Sequence, residues 1–213
     1  MKTDDLVSLL ATGTDAVDAK APARHYIAAV GAGALGATVL MSLWLDVRPT
    51  LARDAVLPMF WVKEMFCVAL VASGLFAVTR LSRPGAALAW VRPLAAAPII
   101  AMWLLAVAVL VAADAKDRTD LIRGVSWTEC TYNIALLSVP VFAAILWAMK
   151  QLAPTRLRLA GAAAGFAAGA IAALVYTLHC PELGAPFLAI WYVSGILIPT
   201  VFGACVGPRL LRW

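Results

Sequence analysis

Six apolar runs fill this chain from about Tyr26 onward and leave a polar stretch of only about 24 residues ahead of them. Each run is about 20 residues long, enough to cross the ~30 Å hydrocarbon core as a helix rising 1.5 Å per residue. Lipid offers no hydrogen-bond partner to a backbone amide, so each run has to satisfy its amides within itself, as a helix does. The pattern predicts an all-α fold: a polytopic bundle of six transmembrane helices behind a short cytoplasmic N-terminal amphipathic helix. Spans are expected near 26–45, 58–79, 94–113, 128–149, 159–178 and 187–206.

Only 14% of residues are charged, against about 25% in a soluble domain. The chain therefore has room for one bundle and no separate globular domain. It divides into a head, 1–24, and a membrane domain, 25–213. The formal net charge of +5 is spread over several loops and implies no direct contact with nucleic acid. The head carries Asp4, Asp5, Asp15 and Asp18 and has no small-residue cleavage site after the first run, so no cleavable signal is expected.

Lys and Arg set the orientation. One face collects Lys2, Lys20 and Arg24, then Arg80, Arg83 and Arg92, then Lys150, Arg156 and Arg158, and finally Arg209 and Arg212. The other face holds Arg48 and Arg53, then Lys116, Arg118 and Arg123. The positive-inside rule puts the richer face, with both termini, in the cytoplasm. Trp44, Trp61, Trp127 and Trp191 then fall near the outer interface, and Trp90, Trp147 and Trp213 near the inner one. Trp103 lies deeper and reads as packing. Gly161, Gly165 and Gly169 recur every four residues and make a smooth strip for close helix approach. The run from Gly31 to Gly36 matches GxGxxG, but no strand precedes it, and helix packing is the better reading.

In the head, Thr3 can cap a helix, with Asp4 and Asp5 where the N-terminal dipole favours anions. Leu6, Leu9 and Leu10 then share one face, and Gly13 can end the helix. About ten residues are marginally helical alone in water, so such a helix gains order by docking into a partner's groove. A helix lying on the bilayer is the alternative, although its acidic residues disfavour an anionic leaflet.

At the outer face, Lys63 and Glu64 sit about one and a half turns into the second span, where ionisable groups are costly. Lys63 can snorkel to the interface or pair with Glu129 or Glu182, which are expected at the same level. Cys130 opens the fourth span and Cys180 follows His179 at the end of the fifth. Thiols there can form a disulfide, bind a soft metal or be oxidised, with Cys130, Cys180 and His179 as candidate metal ligands. Both can equally be buried small hydrophobes. Cys67 and Cys205 read as packing.

With these residues in view, the chain resembles the NrsF-type proteins, bacterial six-span inner-membrane anti-sigma factors. The resemblance rests on the head MKTDDL, on PMFWVK ending at Lys63, and on Arg92 with Pro93. It rests also on Trp127 with Cys130, and on HCPE from His179 to Glu182 with Phe187 and Trp191. It implies a cytoplasmic head that holds an extracytoplasmic-function sigma factor through Asp4, Asp5, Leu6, Leu9 and Leu10. It also implies that Cys130 and Cys180 sense metal or oxidant stress on the periplasmic side, with Lys63, Glu64, Glu129, His179 and Glu182 in support. Such a protein needs neither catalysis nor a cofactor. A small transporter would need a polar path at mid-membrane, where this chain has mostly Ala, Val, Leu and Gly. A thiol-redox membrane protein would need a close cysteine pair, which only Cys130 and Cys180 meeting in space could supply. The oligomeric state is left open.

Overall fold

The computed structural model describes residues 3–12, 21–83, 85, 89–152 and 154–212. Gly13 and Trp213 lie outside them. Helix α1 (Thr3–Ala11) lies in the head. The six spans are α2 (Ala21–Trp44), α4 (Pro58–Leu81), α5 (Val91–Ala112), α7 (Trp127–Lys150), α8 (Leu157–Tyr176) and the unit of α9 (Ala185–Phe187), a π-helical turn (Leu188–Tyr192) and α10 (Val193–Leu210). Short helices α3 (Leu51–Asp54) and α6 (Arg118–Arg123) lie in the connections. Six helices are long and apolar enough to cross a membrane, and each overlaps one expected span. Pro58 starts α4 at its first turn, where its missing N–H costs nothing.

Helix α8 is the axis of the bundle: 72% of its apolar stretch is buried, against 11% for α5. Its sequence explains that position. Alanine and glycine leave a thin helix, and neighbouring backbones close onto it without a hydrophobic driving force between helices in lipid. A Cβ at Gly161 would collide with the Gly203 carbonyl on α10, and one at Gly165 with the Pro199 carbonyl. Gly74 of α4 meets Ala167 of α8 in the same way, 2.8 Å from its Cα. In α2, a Cβ on Gly33 would lie 2.8 Å from Val141 Cα, and one on Gly36 3.3 Å from Pro140 Cβ. Gly31 faces open space, so the GxGxxG match splits into two packing glycines and one idle one.

Two readings of single residues change. Trp103 is 46% exposed on α5 and does not fill the core. Cys205 is exposed on α10, whereas Cys67 is fully buried. Both exposed residues lie on outward faces within spans, and periodicity alone does not tell which face of a uniformly apolar helix turns outward.

Candidate functional site

The three connections at the end of the bundle opposite the chain termini are tied together around Cys180. This residue leaves α8 through a turn in which its N–H reaches Tyr176 O at 2.9 Å. Its carbonyl accepts from two cations, Arg48 Nη1 at 2.6 Å and Lys63 Nζ at 2.8 Å. Lys63 Nζ also donates to Glu182 O at 3.0 Å. The α2–α3 connection is held by further bonds. Arg48 N donates to Leu178 O at 3.1 Å, and His179 Nδ1 lies 3.0 Å from Asp46 O. Asp46 takes a positive φ of 59° to present that carbonyl. Arg48 is paired with Asp54 at 3.3 Å, and Thr50 Oγ1 donates to the same carboxylate at 3.0 Å.

The connection between α6 and α7 closes the third side. Glu182 Oε1 accepts from Val125 N at 2.6 Å. Its carboxyl carbon sits 2.6 Å from where a Cβ of Gly124 would be, and Gly124 has φ 56° and ψ −162°, a conformation open in practice only to glycine. Trp191 Nε1 donates to Ile122 O at 2.8 Å, its ring lies 5.3 Å from that of Trp127, and its carbonyl accepts from Thr131 Oγ1 at 3.2 Å.

The two predicted thiols meet inside this frame. Cys130 and Cys180 are both fully buried in one apolar cluster and neither is disulfide-bonded. Ser126 Oγ is 4.0 Å from Cys180 Sγ. The π-helical turn presents Tyr192 to the same spot; an extra residue in a turn of this kind re-aims side chains and is frequent at functional sites. Tyr192 Oη is buried without a partner at hydrogen-bond geometry, and its ring lies 5.2 Å from Lys63 Nζ. The Cys180 thiol is held below the usual thiol range, chiefly by hydrogen bonding from Cys130. Burial opposes this, while the Lys63 ammonium and the Glu182 backbone reinforce it.

The remaining predicted residues fall in different places. Lys63 is fully buried, so it does not snorkel, and it reaches the backbone of Glu182 and not its carboxylate. Glu129 is exposed and makes no pair with Lys63. Glu64 is half-buried, with Oε1 buried and unpartnered. His179 is half-buried against the Tyr176 ring, centroids 5.6 Å apart. Among the described residues no three His, Cys, Asp or Glu side chains are grouped to hold a metal ion. Asp4, Asp5, Leu6, Leu9 and Leu10 are all exposed on α1. Sequence reasoning missed Arg48, which counted only as a loop charge, and also Gly124 and Tyr192. An arginine two residues after an outer-interface Trp-Leu-Asp run gives no local sign that its partner lies beyond a distant span.

The model of the NrsF family, negative regulator of sigma F, matches residues 10–213. The chain is 53% identical over 213 residues to the probable anti-sigma-F factor NrsF of Azospira oryzae, covering 100% of both chains. It is 38% identical over 219 residues to the anti-sigma-F factor NrsF of Caulobacter vibrioides, again covering 100% of both. No solved structure matches it.

Proposed function

Because this chain belongs to the NrsF family of negative regulators of sigma F, we propose that it is a membrane-bound anti-sigma factor that holds an extracytoplasmic-function sigma factor at the inner membrane through its N-terminal helix. The observation that carries this reading is α1 itself. It is helical, yet Leu6, Leu9 and Leu10 are 43%, 65% and 68% exposed, and no residue of the helix is buried. Each leucine that a partner buries fully is worth about 1.5–3 kcal/mol. A helix formed in advance reduces the ordering cost of docking. Asp4 and Asp5 in the first turn favour the helix and suit a basic rim around the partner's groove.

The proposed topology puts both termini in the cytoplasm and the thiol end in the periplasm. A soft metal ion or an oxidant reaching Cys130 and Cys180 would change the packing of the three connections. That change releases the sigma factor only if the signal interacts differently with the holding and releasing arrangements of the bundle. The bonding of the Cys180 backbone to Lys63 of α4 and Tyr176 of α8, and the contact of its thiol with Ser126 just before α7, support this reading.

The test uses membranes that contain the chain and its cognate sigma factor. Deleting residues 1–13 is expected to abolish co-purification of the sigma factor while leaving insertion intact. Undiminished co-purification would refute the head as the binding element. Replacing Cys130 and Cys180 with Ser is expected to preserve capture and blunt release by metal or oxidant; an unchanged response would remove the sensing role.

A further inference from the structure

Lys63 is a buried cation that no carboxylate among the described residues meets in an ion pair. Its ammonium is fully buried, donates to the carbonyls of Cys180 and Glu182, and lies over the Tyr192 ring. Among the described residues it makes no ion pair with a carboxylate. An isolated ammonium in a low-dielectric site costs several kcal/mol unless an anion accompanies it. None of the other charges nearby is in ion-pair contact with it. Arg48 adds a second cation on the same Cys180 carbonyl, and Asp54 is bound to Arg48. The Glu182 carboxylate is bound to Val125 N. Glu64, the next residue on the same helix, acts on the ammonium through space but makes no ion pair with it, and its Oε1 is buried with no partner. What remains around the ammonium is sulfur and phenol: Cys67 on its own helix, Cys130 on α7, Tyr192 and Cys180.

We infer that Lys63 and Cys180 form a buried ammonium–thiolate pair, with Cys130 keeping its proton and donating to the Cys180 sulfur. Lys63 is then the residue that sets the two thiols apart. Cys180 is the sulfur that bonds a soft cation or attacks an electrophilic oxidant first. Ser126 presents a hydroxyl to the same sulfur at 4.0 Å, as an anion there requires. The convergence of two cations on one peptide carbonyl also has its reason in this pairing: it fixes the backbone of the residue whose side chain carries the charge. The inference deepens the sensing role proposed for Cys180 and rests on that reading for its use to the cell. The ion pair itself can be tested without it.

The test counts protonated thiols by the S–H stretching band in the infrared, which needs no reagent to enter the bundle. The probe is the full chain in lipid nanodiscs at neutral pH. The chain has four free cysteines. The wild type is expected to show the intensity of three S–H groups, rising to four on acidification. Cys180→Ser is expected to stay at three, and Lys63→Met to rise to four at neutral pH while Lys63→Arg stays at three. A wild-type intensity of four that falls to three in Cys180→Ser would overturn the proposal. The wild-type and Cys180→Ser spectra decide the matter even where Lys63→Met fails to insert. A chain that passes this test and still captures no sigma factor would refute the functional reading and leave the ion pair standing.

Discussion

The two ends of this molecule are built on opposite principles. At the thiol end, side chains from four spans and three connections are buried and bonded to one another, down to a lysine and an arginine sharing the carbonyl of Cys180. In the head, α1 is a short helix whose leucines are left exposed. The first is held within the chain, although Glu64 Oε1 and Tyr192 Oη stay buried without partners; the second leaves its apolar face free for the docking proposed above. Buried polar groups are costly unless every one is met, so the thiol end is a place where a small chemical change has a large structural consequence. An exposed apolar helix contributes little to its own chain's stability, and evolution can shape it for a partner.

That contrast can be broken by substitutions, ordered here by their expected effect on the stability of the bundle. Lys63→Met removes a buried cation from two carbonyls and should cost about 3 kcal/mol, read as a lowered melting temperature in detergent; an unchanged melt would show the thiol end to be loosely held. Gly124→Ala forces a Cβ into the Glu182 carboxylate at a backbone conformation alanine avoids, and should cost about 2 kcal/mol in the same assay.

The third prediction concerns pH. The thiol of Cys180 is depressed in the folded protein, so its contribution to stability is fully present above the unfolded thiol value of about 8.5. It is lost as pH falls toward the folded value. Over that window the bundle should lose up to about 1.4 kcal/mol per pH unit from this group, and Cys180→Ser should flatten the slope. Equal slopes in the two proteins would remove the depressed thiol. The smallest expected effect on the bundle comes from Leu9→Ala with Leu10→Ala in α1. Its melt should move by less than about 0.5 kcal/mol, while sigma-factor capture falls roughly tenfold or more per leucine. A destabilised bundle with capture intact would reverse the assignment of the two ends.

The spans were readable because hydropathy adds up locally: about 20 apolar residues in a row satisfy the bilayer whatever they pack against. The α8 glycines were readable for a similar reason, since a four-residue repeat is a property of one helix. Cys130 and Cys180 could be assigned to one membrane level by counting spans, though not to one cluster. Lys63 was noticed because charge is rare at that depth, but its expected carboxylate partners, Glu129 and Glu182, do not bind it through their side chains. Trp103 and Cys205 were misplaced because a helix that is apolar on every face carries no mark of which side turns outward.

The sequence by itself determined six spans, a polar head with a leucine face, and two sulfurs at one end of the bundle. Only the tertiary structure decided that Arg48 and Lys63, 132 and 117 residues from Cys180 in the chain, would close on its carbonyl. Spanning a membrane is settled residue by residue against the lipid. A buried polar cluster depends on which loops the packing of α8 brings together, and no local pattern encodes that.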